Sequence, residues 1–131
     1  RIGGFFNLSE IVRGAFQNAY ASWSVSAEVA GRGYATEGVR ALLDLAFTRL
    51  DAGGAGLHRV QANIIPENDR SIRLAERVGF RYEGLAEAVA GTLERFDVFA
   101  RCRSRRIPGV HRLGRQMVSL GMLWYGFRDR L

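Results

Sequence analysis

The sequence predicts an α/β (α+β) fold, a mixed β-sheet flanked by helices, on three observations. Along residues 18–26, Tyr20, Ser22, Ser24 and Ser26 alternate with Ala19, Ala21, Trp23 and Val25, the period of two that marks a half-buried strand. Val39, Leu42, Leu43, Ala46 and Leu50 recur at helical spacing, which marks an amphipathic helix. Short β-prone runs stand before, between and after the helical stretches in the order β-β-α-β-α-β-β. Helix-linked strands in the middle and hairpin-like strands at both ends require a mixed sheet with helices packed on its faces.

Each element follows from local chemistry. Residues 1–12 carry Ile2, Phe5, Phe6, Leu8, Ile11 and Val12 around an Asn7-Leu8-Ser9 interruption, a strand with a bend or bulge. Arg13-Gly14-Ala15 is a turn, and the alternating run is a second strand half-buried by Trp23 and Val25. A helix from Tyr34 to Leu50 is expected next, stopped by Gly53-Gly54. His58 to Ile65 is strand-like and ends at Pro66. Asn68 is a good N-cap for a second helix with Ile72, Ala75 and Val78 on one face and Gly79 just past its end. Phe80 to Leu85 and Arg95 to Ala100 read as a closing pair of strands.

The length of 131 residues, a little under half of them hydrophobic, fits one domain with one modest core. The single cysteine, Cys102, excludes an internal disulfide and a four-cysteine zinc site, so the expected compartment is cytoplasmic. His58 and His111 lack companions at ligand spacing, and no metal site is expected. No apolar run approaches the roughly 20 residues of a membrane helix. The start, Arg1-Ile2-Gly3-Gly4, is not a signal peptide and reads as an entry into the middle of a domain.

The net charge of +6 is unevenly placed, because residues 1–101 balance 12 arginines with 12 acids while 102–131 hold 7 arginines and only Asp129. The first span is expected to be the folded domain and the second a basic C-terminal tail, with an apolar block from Met117 to Tyr125 that no earlier element requires. Tyr20, Trp23 and Tyr82 are expected to pack the core or a sheet face.

The stretch around which function is expected is Glu28 to Gly38, a glycine turn between a strand and a helix. Gly31 and Gly33 let the main chain approach a ligand closely. The first helical turn adds N–H groups with no intrahelical partner and the positive end of the dipole, which together favour a phosphate. A dinucleotide fingerprint is weak because Thr36 stands where its third glycine belongs, and a P-loop is excluded in a chain without lysine. Ala30-Gly31-Arg32-Gly33-Tyr34-Ala35 resembles the Q/R-x-x-G-x-G/A motif of the GNAT N-acetyltransferases. Asn68 to Gly84 resembles their N-x-x-S-x-x-L-x-x-x-x-G-F-x-x-E-G block, the more specific match. Val12-Arg13-Gly14-Ala15-Phe16-Gln17 with Tyr20 resembles the RimJ/RimL branch, which acetylates the α-amine of ribosomal proteins.

The resemblance covers about residues 1–100 and implies a GNAT-like domain whose first strand and first two helices are missing. It implies acetyl-CoA as cosubstrate, with the pyrophosphate on Gly31, Arg32, Gly33, Tyr34 and Ala35 and the pantetheine arm along the main chain of Val25, Ser26 and Ala27. Asn63 and Asn68 would stand beside the cofactor, Ser71 would be the general acid for the leaving thiolate, and Glu87 or Glu83 the base through water. Two departures stand out: Ala30 replaces the family's Gln or Arg, and Ala86 to Gly91 is a shortened segment. The implied acceptor is a primary amine, the N-terminal α-amine of a ribosomal protein, with a small-molecule amine as the alternative. A rival of another class is a non-catalytic module that binds nucleic acid through the basic tail. Apart from that tail or a ribosomal substrate, nothing favours nucleic acid, and no membrane partner is expected.

Overall fold

The β-prone residues at the start form β1 (Ile2–Val12), antiparallel to β2 (Asn18–Val25), in a computed structural model that describes residues 2–87, 95–103 and 123–128. Then come α1 (Tyr34–Phe47), β3 (Arg59–Ile64), α2 (Asp69–Arg77), β4 (Arg81–Glu87), β5 (Arg95–Cys102) and β6 (Leu123–Arg128). They build one six-stranded sheet in the order β4-β5-β3-β2-β1-β6, with β2 and β3 parallel and every other pair antiparallel. The mixed sheet and both helices stand where the sequence puts them.

Period-two burial decides which face meets the helices. Phe6 and Leu8 of β1, Ala19 and Ala21 of β2, and Val60, Ala62 and Ile64 of β3 form one core with Val39, Leu42, Leu43 and Ala46 of α1 and Leu74 and Ala75 of α2. The alternate positions carry a polar network in which Ser22 bonds Asn7, Gln61 bonds Asn63, and Arg59 bonds Gln61. Both described helices therefore pack on the same face, not on both. α1 approaches β1 closely because Gly38 lies against the fully buried Phe6 ring, where a Cβ would stand 2.2 Å from it.

Three expectations are corrected in detail. The irregularity of β1 lies between Ser9 and Val12, where Glu10 has φ 48°, not at Asn7 to Ser9. α1 stops at Phe47, not Leu50, where Thr48 turns extended. The carbonyls of Leu45 and Ala46, which Arg49 and Leu50 would bond in a longer helix, accept instead from the N–H groups of Ala55 and Leu57, both at 2.8 Å. Leu50, 64% exposed, begins a short 3₁₀ turn that ends at Gly53 with φ 86°. The tail, finally, is used by an earlier element, since Leu123–Arg128 pairs with β1 over Ile2 to Leu8. The shortened segment at Ala88 to Gly91, His111 and most of the apolar block lie outside the described residues.

Candidate functional site

The site begins where two parallel strands part. β2 and β3 pair only from Asn18–Arg59 to Tyr20–Gln61, although β2 continues to Val25 and β3 to Ile64. Beyond Tyr20, among the described residues, β2 pairs with β1 alone. Successive residues of an antiparallel pair point their N–H and C=O groups alternately toward and away from the partner. The Ser26 N–H bonds the Gly3 carbonyl at 2.8 Å, so by alternation the main-chain groups of Trp23 and Val25 point away from β1, into the wedge that β3 has left.

The chain then turns, with the Ser26 carbonyl accepting from the N–H groups of Val29 and Ala30. Gly31 and Gly33 have φ of 80° and 83°, and a Cβ at either would meet nothing within 4 Å. Glycine is needed there for left-handed backbone, and the space beside it is open. Gly33 is the N-cap of α1 and brings no side chain to it. With no side-chain cap from Gly33, the N-terminus of this 14-residue helix faces the same opening with its positive dipole end.

Across the opening stands the first turn of α2. Asn68 caps it, its Oδ1 accepting from the Ser71 N–H at 3.2 Å. The Trp23 Nε1–H donates to Ser71 Oγ at 3.3 Å, and the Trp23 ring leans on Phe80 with centroids 6.2 Å apart. The pocket so enclosed has a volume of about 500 Å³, bounded by the end of β2, the glycine turn and α2. Val25, Gly31, Gly33, Ala35, Asn68 and Ser71 all line it.

Other residues singled out in the sequence stand elsewhere. The Ser26 main chain is occupied by Gly3, Val29 and Ala30; Ala27 and Arg32 are exposed, and with Tyr34 they lie outside the lining. Asn63 is on the polar sheet face, accepting from Gln61 Nε2 at 2.9 Å, away from the helices. Glu83 is on that side too, gripped by Arg59 through two hydrogen bonds of 2.7 and 2.5 Å. Those bonds, and the guanidinium charge after them, hold its carboxyl below the usual range against the opposing effect of burial. Both oxygens are engaged, which makes Glu83 a poor base. Glu87 is exposed at the end of β4, opposite Arg95, and does not line the pocket.

Sequence inspection missed the pocket's cations. Arg70, Arg73 and Arg77 share the α2 face along it, and Arg77 reaches Thr36 Oγ1 at 3.2 Å, tying α2 to α1. Their spacing of three and four was the available signal. Trp23, expected only to pack, also carries a polar contact to the site.

Comparison with known proteins places the chain in a family and agrees with the fold. Residues 2–81 match the family model described as an acetyltransferase (GNAT) domain. The chain is similar to a probable N-acetyltransferase, YjcK, of Bacillus subtilis, 38% identical over 86 residues that make up 66% of this chain and 45% of that protein. It is similar to the [ribosomal protein uS5]-alanine N-acetyltransferase of Escherichia coli, 34% identical over 84 residues, 64% of this chain and 41% of that one. Among solved structures, Mycobacterium smegmatis RimJ in complex with CoA-disulfide superposes with a TM-score of 0.67 at 29% identity, covering 76% of this chain and 46% of that one. The chain thus spans less than half the length of the curated relatives it matches.

Proposed function

Because the chain belongs to the GNAT acetyltransferase family, we propose that it transfers an acetyl group from acetyl-CoA to a primary amine, the N-terminal α-amine of a protein. The observation that carries this reading is the convergence of the diverging end of β2, the glycine-capped N-terminus of α1 and the Ser71 hydroxyl on one pocket. The acceptor rests on the resemblance of residues 12–20 to the RimJ/RimL branch and on similarity to an enzyme named for a ribosomal-protein alanine.

The pocket suits the cosubstrate. Left-handed glycines with open space beside them admit a bulky pyrophosphate against the main chain of Gly31 to Ala35, where helix-end donors favour anions. Arg70, Arg73 and Arg77 add positive charge for further phosphate oxygens. The Val25 N–H, turned into the wedge, serves the pantetheine arm and the thioester carbonyl, whose oxygen gains negative charge as the amine attacks. Asn68 holds the first turn of α2 in place, and Ser71 donates a proton to the departing sulfur. One nitrogen–carbon bond forms, one carbon–sulfur bond breaks, and one proton passes from nitrogen to sulfur.

Isothermal titration with acetyl-CoA and CoA tests the cosubstrate, and binding by neither overturns the proposal. The acceptor is tested by mass spectrometry of a peptide with an N-terminal alanine beside spermidine. Acetylation of the peptide α-amine is expected, and acetylation of spermidine alone would move the acceptor to small amines.

A further inference from the structure

We infer that Trp23 is a positioning residue for Ser71, fixing the direction in which the Ser71 hydroxyl gives its proton. The inference rests on the proposal that Ser71 protonates the departing sulfur. An indole N–H only donates, whereas a serine hydroxyl offers one donor and two acceptor lone pairs. At 3.3 Å from Trp23 Nε1, Ser71 Oγ is therefore the acceptor, and its own proton cannot point back at the indole.

The other anchors of Ser71 are also occupied. Its N–H is bonded to Asn68 Oδ1, and its hydroxyl has no further hydrogen bond among the described residues. Serine hydroxyls near helix starts readily turn to nearby main-chain groups. With one lone pair held by Trp23, the remaining directions include the pocket that Ser71 lines. The indole is itself held by its tilted contact with Phe80 and by the core against which it packs. Because Trp23 belongs to β2 and Ser71 to α2, this bond also ties two walls of the pocket together. As the carbon–sulfur bond breaks, sulfur takes the Ser71 proton. Ser71 Oγ regains one from the acylated nitrogen, directly or through water, so no proton is consumed.

Trp23→Phe keeps a ring against Phe80 and removes only the donor. In proton NMR spectra of the whole chain, the indole resonance that disappears in Trp23→Phe is expected to move upfield in Ser71→Ala; an unmoved resonance overturns the hydrogen bond. In turnover, Trp23→Phe is expected to lower kcat about three- to tenfold, the range of one hydrogen bond, with KM for acetyl-CoA unchanged and no further loss when added to Ser71→Ala. Additive losses, or a raised KM with kcat intact, overturn the positioning role. If Ser71→Ala turns over like the wild type, the assignment of Ser71 as the acid fails, whatever Trp23 does.

Discussion

At the scale of single residues, one wall of the pocket is a glycine turn and the facing wall carries the side chains of α2. Gly33 sits at φ 83° with open space where a Cβ would be, so Gly33→Val combines a left-handed strain of roughly 1–2 kcal/mol with an isopropyl group in the space proposed for the phosphates. Loss of acetyl-CoA binding by at least about tenfold is expected in calorimetry, and normal binding would make this turn a turn only. Ala30→Gln, which restores the family's side chain beside intact amides, is expected to strengthen binding. Asn68→Ala removes the cap on α2 and should cost about 1 kcal/mol in urea unfolding. Asn68 and Ser71 were legible because capping chemistry and spacing are local. The face that Asn63 takes was not legible, because the parity of β3 about its core residues Val60, Ala62 and Ile64 decides it.

Between elements, contacts join segments distant in sequence. Gly38→Ala would push a methyl into the buried Phe6 ring and separate α1 from β1; overpacking of this kind costs about 1–3 kcal/mol, readable as a lower urea midpoint. Arg59 of β3 reaches past β5 to Glu83 of β4, spanning three strands. The Glu83 carboxyl is held below its ordinary value of 4.5, chiefly by hydrogen bonds from Arg59. A lowered folded value means that the stabilisation is complete above the unfolded value and is lost as pH falls through the folded one. Urea midpoints are therefore expected to fall as the solution is made more acidic than pH 4.5, and part of that fall should be missing in Glu83→Gln. The helix periods were readable from apolar spacing, but the end of α1 was not, since the apolar residue Leu50 continues the period while the last carbonyls of the helix, Leu45 and Ala46, are taken by Ala55 and Leu57 of the following loop.

For the whole molecule, the sheet edge is the relevant feature. β6 covers β1 through pairs from Ile2–Arg128 to Leu8–Leu123, and an uncovered strand is a template for association. A chain ending at Arg103 is expected to self-associate in light scattering and to unfold at lower urea than the whole chain. The same truncation removes most of the excess positive charge, so any salt-sensitive nucleic-acid binding should vanish with it, while acetyl-CoA binding, proposed above for α1, α2 and β2, is expected to weaken far less. By itself the sequence determined the order of β1 to β5 and the two helices, the glycine turn and the capped start of α2, since these are set by periodicity, backbone freedom and hydrogen bonds between near neighbours; it did not determine β6. Only the tertiary structure decided that β2 and β3 part after Tyr20, that three arginines of α2 line the opening, and that Trp23 meets Ser71 across 48 positions of chain. Those facts depend on how separate elements pack. With its only described strand partner on the β1 side beyond Tyr20, β2 turns main-chain groups toward the pocket, and local sequence carries no record of where a neighbouring strand stops.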